Sequence, residues 1–382
     1  MTVACPFLIG GETMAGNFDG IKTRRFGIEI EMTGLTRCEA AKALAKAFGT
    51  EPEHYGGTYD KYHVPDSKGR DWTIMSDGSL TCTTHDGRSA SRFYSVEMVT
   101  PILEYSDLDM LHSAVKALRK AGAICNDSTG IHIHCDCSDF SPQQIRNLVN
   151  LFASKEDMLY QALQVADWRE DHYCQKVDQH FLRQLNQKKP KTMDQIKHLW
   201  FGDNAMYHAH YNPARYHCLN LSPVFTDNNF EVRAFNSVLH FGVLRAYLSL
   251  VLAVANQAVT QKYASPAVTH SSNPRYTFRT WLIRIGLNGE EFKNCRMHLL
   301  KHLEGNIAWR NPEDAIAQRE RLKAEREAAR IERVSAVPQD VGEVGETPDE
   351  EQNGAVGDLS GDSEGETNEE ELTEETTVTM NM

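Results

Sequence analysis

Long hydrophobic runs are scarce in these 382 residues. The longest apolar stretch, Val238 to Ala258, is interrupted by Arg245, and its longest uncharged part, Ala246 to Gln261, has 16 residues. A membrane span needs roughly 18 or more, so this stretch is expected to be a buried helix. Cysteine is sparse as well: nine residues, irregularly spaced, with no C-x-x-C pair. That excludes a disulfide scaffold and gives no support to a cysteine-rich zinc site. Glycine shows no period, heptads are not sustained and nothing repeats at 20 to 50 residues, which excludes collagen, coiled-coil and solenoid architectures. No G-x-S-x-G elbow marks a serine nucleophile. Met1 to Gly10 lacks the basic start of a signal peptide. The expectation is a globular protein with reduced thiols, in the cytoplasm, with no membrane partner.

Charge of one sign is missing from the body and concentrated at the end. The chain carries 40 Lys plus Arg against 53 Asp plus Glu, a formal net charge of −13. Residues 335 to 382 hold 15 of those acids and no Lys or Arg, which leaves residues 1 to 334 at a net +2. A balanced body offers no electrostatic footprint for nucleic acid. The last segment also has no aromatics and few aliphatics, so it lacks the apolar area that would offset ordering and is expected to be a disordered acidic tail.

What is present is a series of short alternating runs separated by helical ones. Arg25 to Thr33 reads as a strand, with Phe26, Ile28, Ile30 and Met32 alternating against Gly27, Glu29 and Glu31. Thr36 and Glu39 form a capping box ahead of a helical run to Phe48, and Tyr55 to Arg92 reads as hairpins and loops with a turn at Ser76-Asp77-Gly78-Ser79. Tyr94 to Thr100 is a further strand. Ser106 is a candidate cap for a helix stopped at Gly122, Gly130 to Cys137 is a strand, and Ser141 to Gln144 is a capping box opening a long helix through Leu163. Two strands, Arg215 to Leu221 and Asn229 to Phe235, precede the apolar helix over 238 to 262. Single and paired strands with helices between them indicate an α+β fold, an antiparallel sheet with helices on one face. The domain reading is an N-terminal extension over 1–23, a body over 24–311, a charged helix over 312–334 and the tail over 335–382.

Side chains two apart in a strand share a face. Glu29 and Glu31 therefore face away from Ile28 and Ile30; His132 and His134 away from Ile131 and Ile133; Glu231 and Arg233 away from Val232; and Glu97 sits on an otherwise apolar strand. If these strands form one sheet, its second face gathers all seven. Two carboxylates about 5 Å apart repel by about 3 kcal/mol at an effective dielectric near 20, so several together need cations or protons. Oxygen ligands with an imidazole suit Mg²⁺, or Mn²⁺, better than Zn²⁺. Divalent ions suit phosphates in turn, and Arg215 and Arg233 would complete a cradle for a nucleoside triphosphate. Each pair alone also reads as the wet face of a sheet or an ordinary salt bridge. In His132 to Cys137, the thiols of Cys135 and Cys137 point opposite to the two imidazoles, which argues against a zinc site.

Six pieces in order, Phe26 to Glu31, Asp77-Gly78-Ser79, Val96-Glu97 with Thr100-Pro101, Thr129 to His134, Arg215-Tyr216 with Leu219 to Leu221, and Phe230 to Arg233, resemble the amidoligase family of carboxylate–amine ligases. That family is grouped with glutamine synthetases and glutamate–cysteine ligases. The resemblance covers about residues 24 to 260. It implies a curved antiparallel sheet, a glutamine synthetase-like partial barrel, around ATP and two Mg²⁺ ions. It further implies Glu29, Glu31, Glu97, His132 and Glu231 as metal ligands, Arg215 and Arg233 toward phosphate or acyl phosphate, and His134 against the nucleotide. The D-G-S piece follows the E-x-E strand here, whereas in glutamine synthetase it precedes it. The ammonia-site role therefore does not transfer, and Asp77, Ser79 and Asn220 stand as substrate-side candidates. The implied activity is an ATP- and Mg²⁺-dependent ligase joining a carboxylate-bearing to an amine-bearing substrate through an acyl phosphate, with Arg215, Arg233 and Glu231 as catalytic residues. The alternative is a catalytically silent binding or assembly protein of the same fold, working through its charged helix and acidic tail.

Overall fold

The structure, a computed structural model, describes residues 18–202 and 212–335. Most of the N-terminal extension and nearly all of the acidic tail lie outside the described residues. Among the described residues, eight strands form one antiparallel sheet: β1 (Phe26–Met32), β2 (Glu53–Gly56), β3 (Lys61–Pro65), β4 (Asp71–Met75), β5 (Val96–Val99), β6 (Gly130–Asp136), β7 (Leu219–Asn220) and β8 (Asn229–Asn236). Their order is β2-β3-β4-β5-β1-β6-β8-β7. Twelve α-helices accompany them: α1 (Phe18–Lys22), α2 (Arg37–Phe48), α3 (Leu108–Lys120), α4 (Pro142–Ala153), α5 (Glu156–Leu163), α6 (Asp167–His172), α7 (Gln179–Lys188), α8 (Met193–Phe201), α9 (Phe241–Thr260), α10 (Pro274–Arg284), α11 (Lys293–Leu300) and α12 (Pro312–Ser335).

The α+β expectation holds, and the partial barrel does not. A barrel closes by hydrogen-bonding its first strand to its last. Here β2 and β7 are the two edges of an open sheet. One reason is local: the strand expected over 215 to 221 shrinks to the two residues of β7, because Asn212 caps a single 3₁₀ turn, Pro213–Arg215, and a second one follows at Ser222–Phe225.

The alternation read in the sequence decides which face is packed. Phe26, Ile28, Ile30 and Met32 of β1, Val96 and Met98 of β5, Ile131 and Ile133 of β6, and Phe230 and Val232 of β8 are all buried in the core. Helices α2, α3, α4, α5 and α9 pack on it. At roughly 25 cal/mol per Å² of apolar surface, each such aliphatic side chain contributes about 1.5–3 kcal/mol. Helix α9 has the length and composition of a membrane span, but 72% of its apolar window is buried inside the fold. Helix α1 packs on α9, with Ile21 fully buried.

Both expected capping boxes form. Thr36 accepts from the Glu39 N–H while Glu39 accepts from the Thr36 N–H at 2.8 Å, and Ser141 and Gln144 do the same at the start of α4. Ser106 is not a cap: it lies in a 3₁₀ turn, Tyr105–Asp107, where Asp107 Oδ2 accepts from the Glu104 N–H at 2.9 Å. The long helix expected from Pro142 to Leu163 is two helices. The Ser154 carbonyl is taken by the distant Thr269 N–H at 3.1 Å, and the chain restarts at Lys155. Contacts divide the chain within α12, into a compact unit ending at Leu322 and a second unit from Lys323. The described side chains of α12 beyond Leu322 are exposed, as its Glu, Arg and Lys content requires.

Candidate metal centre

Strand register, more than any single motif, assembles the site. On one side of β1, Glu31 faces Glu97 of β5; on the other, Glu29 faces His132 and Gly27 faces His134 of β6. Farther along, His134 faces Glu231 of β8, which faces Asn220 of β7. Residues directly opposite across an antiparallel pair share a face. Five strands therefore deliver a continuous row of polar side chains to the face away from the core.

The side chains close on one another. His132 Nδ1 lies 2.9 Å from Glu29 Oε2 and 3.4 Å from Glu231 Oε1, and its Nε2 lies 3.9 Å from Glu31 Oε1. His134 Nδ1 is 2.9 Å from Asn229 Oδ1, while its Nε2 is 3.3 Å from Glu29 Oε1 and 3.9 Å from Glu231 Oε1. Three groups bring ligand atoms within 4.8 Å of one another: Glu29 with Glu97 and His132; Glu29 with His134 and Glu231; and Glu31 with Asp77 and Glu97. Glu31, Glu97, His132 and Glu231 are all buried.

Five carboxylates thus converge on one arginine and two imidazoles. Burial, followed by the charges of Glu29, Glu31 and Asp77, pushes Glu97 well above the ordinary carboxylate range. Burial also raises Glu31, against the pull of His132. At Glu29, burial is outweighed by the two histidines, which hold its carboxyl well below that range. At Glu231 it is outweighed by Arg233 and the same histidines, which bring the group to about 2. His134 rises to about 9, because Glu29 and Glu231 more than offset burial. A site that lifts two of its acids and charges one of its bases is short of positive charge.

The donor set fits a hard divalent ion: carboxylate oxygens in excess, with imidazole nitrogen. A further observation agrees. His134 Nε2 is buried and has no well-directed hydrogen-bond partner, and it points between Glu29 and Glu231. Zinc–thiolate ligation does not fit, since Cys135 and Cys137 are buried on the core side and burial pushes Cys137 up to about 12.

Beside the cluster lies a cavity of about 610 Å³ lined by Glu29, His134, Asn220, Glu231 and Arg215 among others. Arg233 is buried and donates to Glu231 through Nη1 and to the Tyr173 carbonyl through Nε at 3.4 Å. Arg215, in the turn before β7, is half-buried at the cavity wall. Asn220 Nδ2 donates to Glu231 Oε2 at 2.7 Å, and its Oδ1 accepts from the Ser222 N–H at 2.9 Å. The structure places Asp77 with Glu31 and Glu97 and away from the cavity wall, while Ser79 is exposed and donates to Asp77. Reading the sequence missed Arg169, whose guanidinium is buried behind β8. It stands in a polar stretch with no strand or capping pattern around it, so no periodic signal marks it.

The chain matches the family model described as "Putative amidoligase enzyme" over residues 22–255, a span that contains every side chain of the cluster and of the arginine pair. A search of curated proteins returns no match to it.

Proposed function

The chain belongs to the amidoligase family, and from that membership we propose that it is an ATP- and Mg²⁺-dependent carboxylate–amine ligase working through an acyl phosphate. The observation that carries this reading is the surplus of carboxylates around His132 and His134, with Arg233 paired to Glu231 and Arg215 at the wall of the adjoining cavity. Glu29, Glu31, Glu97, His132 and Glu231 would hold the metal, with Asp77 added by its place beside Glu31 and Glu97. Bound there, Mg²⁺, or Mn²⁺, would neutralise phosphate oxygens and the incoming carboxylate.

The chemical problem is that a carboxylate has oxide as its leaving group. A substrate carboxylate oxygen attacks the γ-phosphorus of ATP, ADP departs, and the resulting acyl phosphate is then attacked by an amine nitrogen. The amide bond forms, phosphate leaves and the amine gives up a proton. Arg215 at the cavity wall supplies a guanidinium for the transferring phosphoryl group. Arg233 balances Glu231 and adds positive charge where oxygens gain negative charge. Asn220 holds one oxygen of Glu231, which fixes the direction of that carboxylate. His134, aimed between two carboxylates, would be the imidazole that meets the nucleotide.

Calorimetric titration with a non-hydrolysable ATP analogue tests the reading. Saturable binding that requires Mg²⁺, and that is lost in Glu29→Gln/Glu231→Gln, is the expected result. Absence of binding to the wild type overturns it and favours a silent member that acts as a binding protein.

A further inference from the structure

The register between β6 and β8 slips once. Ile131 faces Phe235 while Ile133 faces Val232, so Arg233 and Ala234 occupy a bulge in β8. Bulged residues lose ladder partners, and their carbonyls need other donors. Arg169 of α6, only 4% exposed, supplies one for the bulged Arg233 and another for the neighbouring Phe235. Its Nη1 donates to the Phe235 carbonyl at 3.0 Å and to Asn236 Oδ1 at 2.8 Å, and its Nη2 donates to the Arg233 carbonyl at 3.3 Å. The main chain of Arg169 acts on the same target: its carbonyl accepts from the N–H groups of Tyr173 and Cys174 at 2.8 and 3.0 Å, and the Tyr173 carbonyl in turn accepts from Arg233 Nε. Arg233 is gripped twice, once at its backbone and once at its guanidinium.

The Arg169 guanidinium also lies against β6. A Cβ on Gly130 would lie 2.6 Å from Arg169 Nη2 and 3.5 Å from Glu31 Oε2. The Gly130 N–H donates to Glu31 Oε2 at 2.6 Å. A residue without a side chain is therefore what lets the guanidinium close on the strand that orients Glu31. The three acceptors of Arg169 are two peptide carbonyls and an amide oxygen, none of them charged. A buried guanidinium with neutral partners is costly unless a nearby negative field offsets it, and the carboxylate cluster begins one residue away.

We propose that Arg169 is a positioning residue of the metal centre: it locks the β8 bulge so that Arg233 reaches Glu231, and it backs Gly130 so that Glu31 keeps its direction. The inference rests on reading the carboxylate cluster as a divalent-metal site. Arginine suits the task because its planar fork spans three acceptors, whereas lysine presents a single ammonium.

Mn²⁺ itself is the probe, followed by electron paramagnetic resonance during titration of the full chain, with melting recorded on each sample. Arg169→Met should bind Mn²⁺ about 10- to 100-fold more weakly than wild type, the range seen when partners of metal ligands are removed. The spectrum of bound Mn²⁺ should change too, and Arg169→Lys should recover only part of the affinity. Gly130→Ala should weaken Mn²⁺ in the wild-type background and add little in Arg169→Met, because both changes disturb one contact. If Arg169→Met does not fold, Arg169→Lys decides: wild-type affinity and spectrum there overturn the proposal. A lower melting point with unchanged Mn²⁺ affinity and spectrum overturns it as well, since that marks a purely structural role. A wild type with no saturable Mn²⁺ signal fails differently: it removes the metal reading itself, and this inference with it.

Discussion

Two clusters gather buried carboxylates beside this sheet, and they balance them against cationic side chains to opposite effect. Under the β3–β4 hairpin, Asp66 accepts from the N–H groups of Lys68 and Arg70, from Arg70 Nε at 2.9 Å and from Trp72 Nε1 at 3.1 Å. Asp107, at the start of α3, accepts from Lys68 Nζ at 2.5 Å, from Arg70 Nη1 at 2.8 Å and from the Glu104 N–H. Two carboxylates meet two cations, and the donors outweigh burial so that both acids stay below the ordinary carboxylate range. Across the sheet, five carboxylates meet one arginine and two histidines, and Glu97 and Glu31 are pushed the other way. The first cluster is complete and fastens α3 to the hairpin. The second is short of positive charge, the deficit that the proposed metal ion would meet.

The largest expected effect breaks the second cluster at its most burdened member. Glu97→Gln removes a ligand atom, so Mn²⁺ affinity should fall at least 100-fold, about 2.7 kcal/mol. It also removes a repelled carboxylate, so the melting temperature in excess chelator should stay level or rise. A fall in metal-free stability with unaltered Mn²⁺ affinity would assign Glu97 to the scaffold. In the complete cluster the sign reverses. Asp107→Asn leaves Lys68 and Arg70 without their shared anion and should cost about 3 kcal/mol by urea unfolding at pH 7, with Mn²⁺ binding unchanged. Because the folded protein holds Asp107 ionised to unusually low pH, the stability it provides is present above the ordinary aspartate pKa of about 4 and is lost as pH falls further. The gap between variant and wild type should therefore close in acid.

How much of this was legible in the sequence follows from the range of each interaction. Local alternation settled which face Glu29, Glu31, His132, His134 and Glu231 occupy, and the opposite placement of Cys135 and Cys137, because a strand's period is a property of consecutive residues. The boxes at Thr36–Glu39 and Ser141–Gln144 formed for the same reason. What was out of reach depends on distant partners. That β5 lies beside β1, so that Glu97 meets Glu31, is a matter of strand order. The break at Ser154 depends on Thr269 and the bulge at Arg233 on Arg169, whereas the collapse of the strand near Arg215 is local, set by 3₁₀ turns at either end of β7. Asp77 shows both limits: the turn was foreseen, but the carboxylates it would join were not. Closure into a barrel came only from the family resemblance, and the strand order of this chain does not support it.

A third buried acid lies between the two extremes and gives the smallest effect. Glu156, at the start of α5, is 4% exposed and accepts from one donor, the Val177 N–H, at 3.0 and 3.1 Å. It has neither the two cations of the complete cluster nor the neighbouring carboxylates of the metal centre. Burial dominates, and its pKa rises to about 7 against the partial relief of that N–H and of Lys176. From an ordinary glutamate pKa of about 4.3 up to about 7, the folded protein therefore holds a proton that the unfolded chain has released. Stability must fall as pH rises through that window, by about 3–4 kcal/mol from this group. Glu156→Gln keeps an oxygen for Val177 and has no proton to release. Urea unfolding at half-unit steps should show the variant matching wild type near pH 4.5 and exceeding it by about 3 kcal/mol at pH 8. Taking the difference between the two curves cancels the metal centre's own titration, which both proteins share. Parallel curves would mean that the single Val177 donor holds Glu156 ionised as fully as two cations hold Asp107, and the count of donors would no longer separate the clusters.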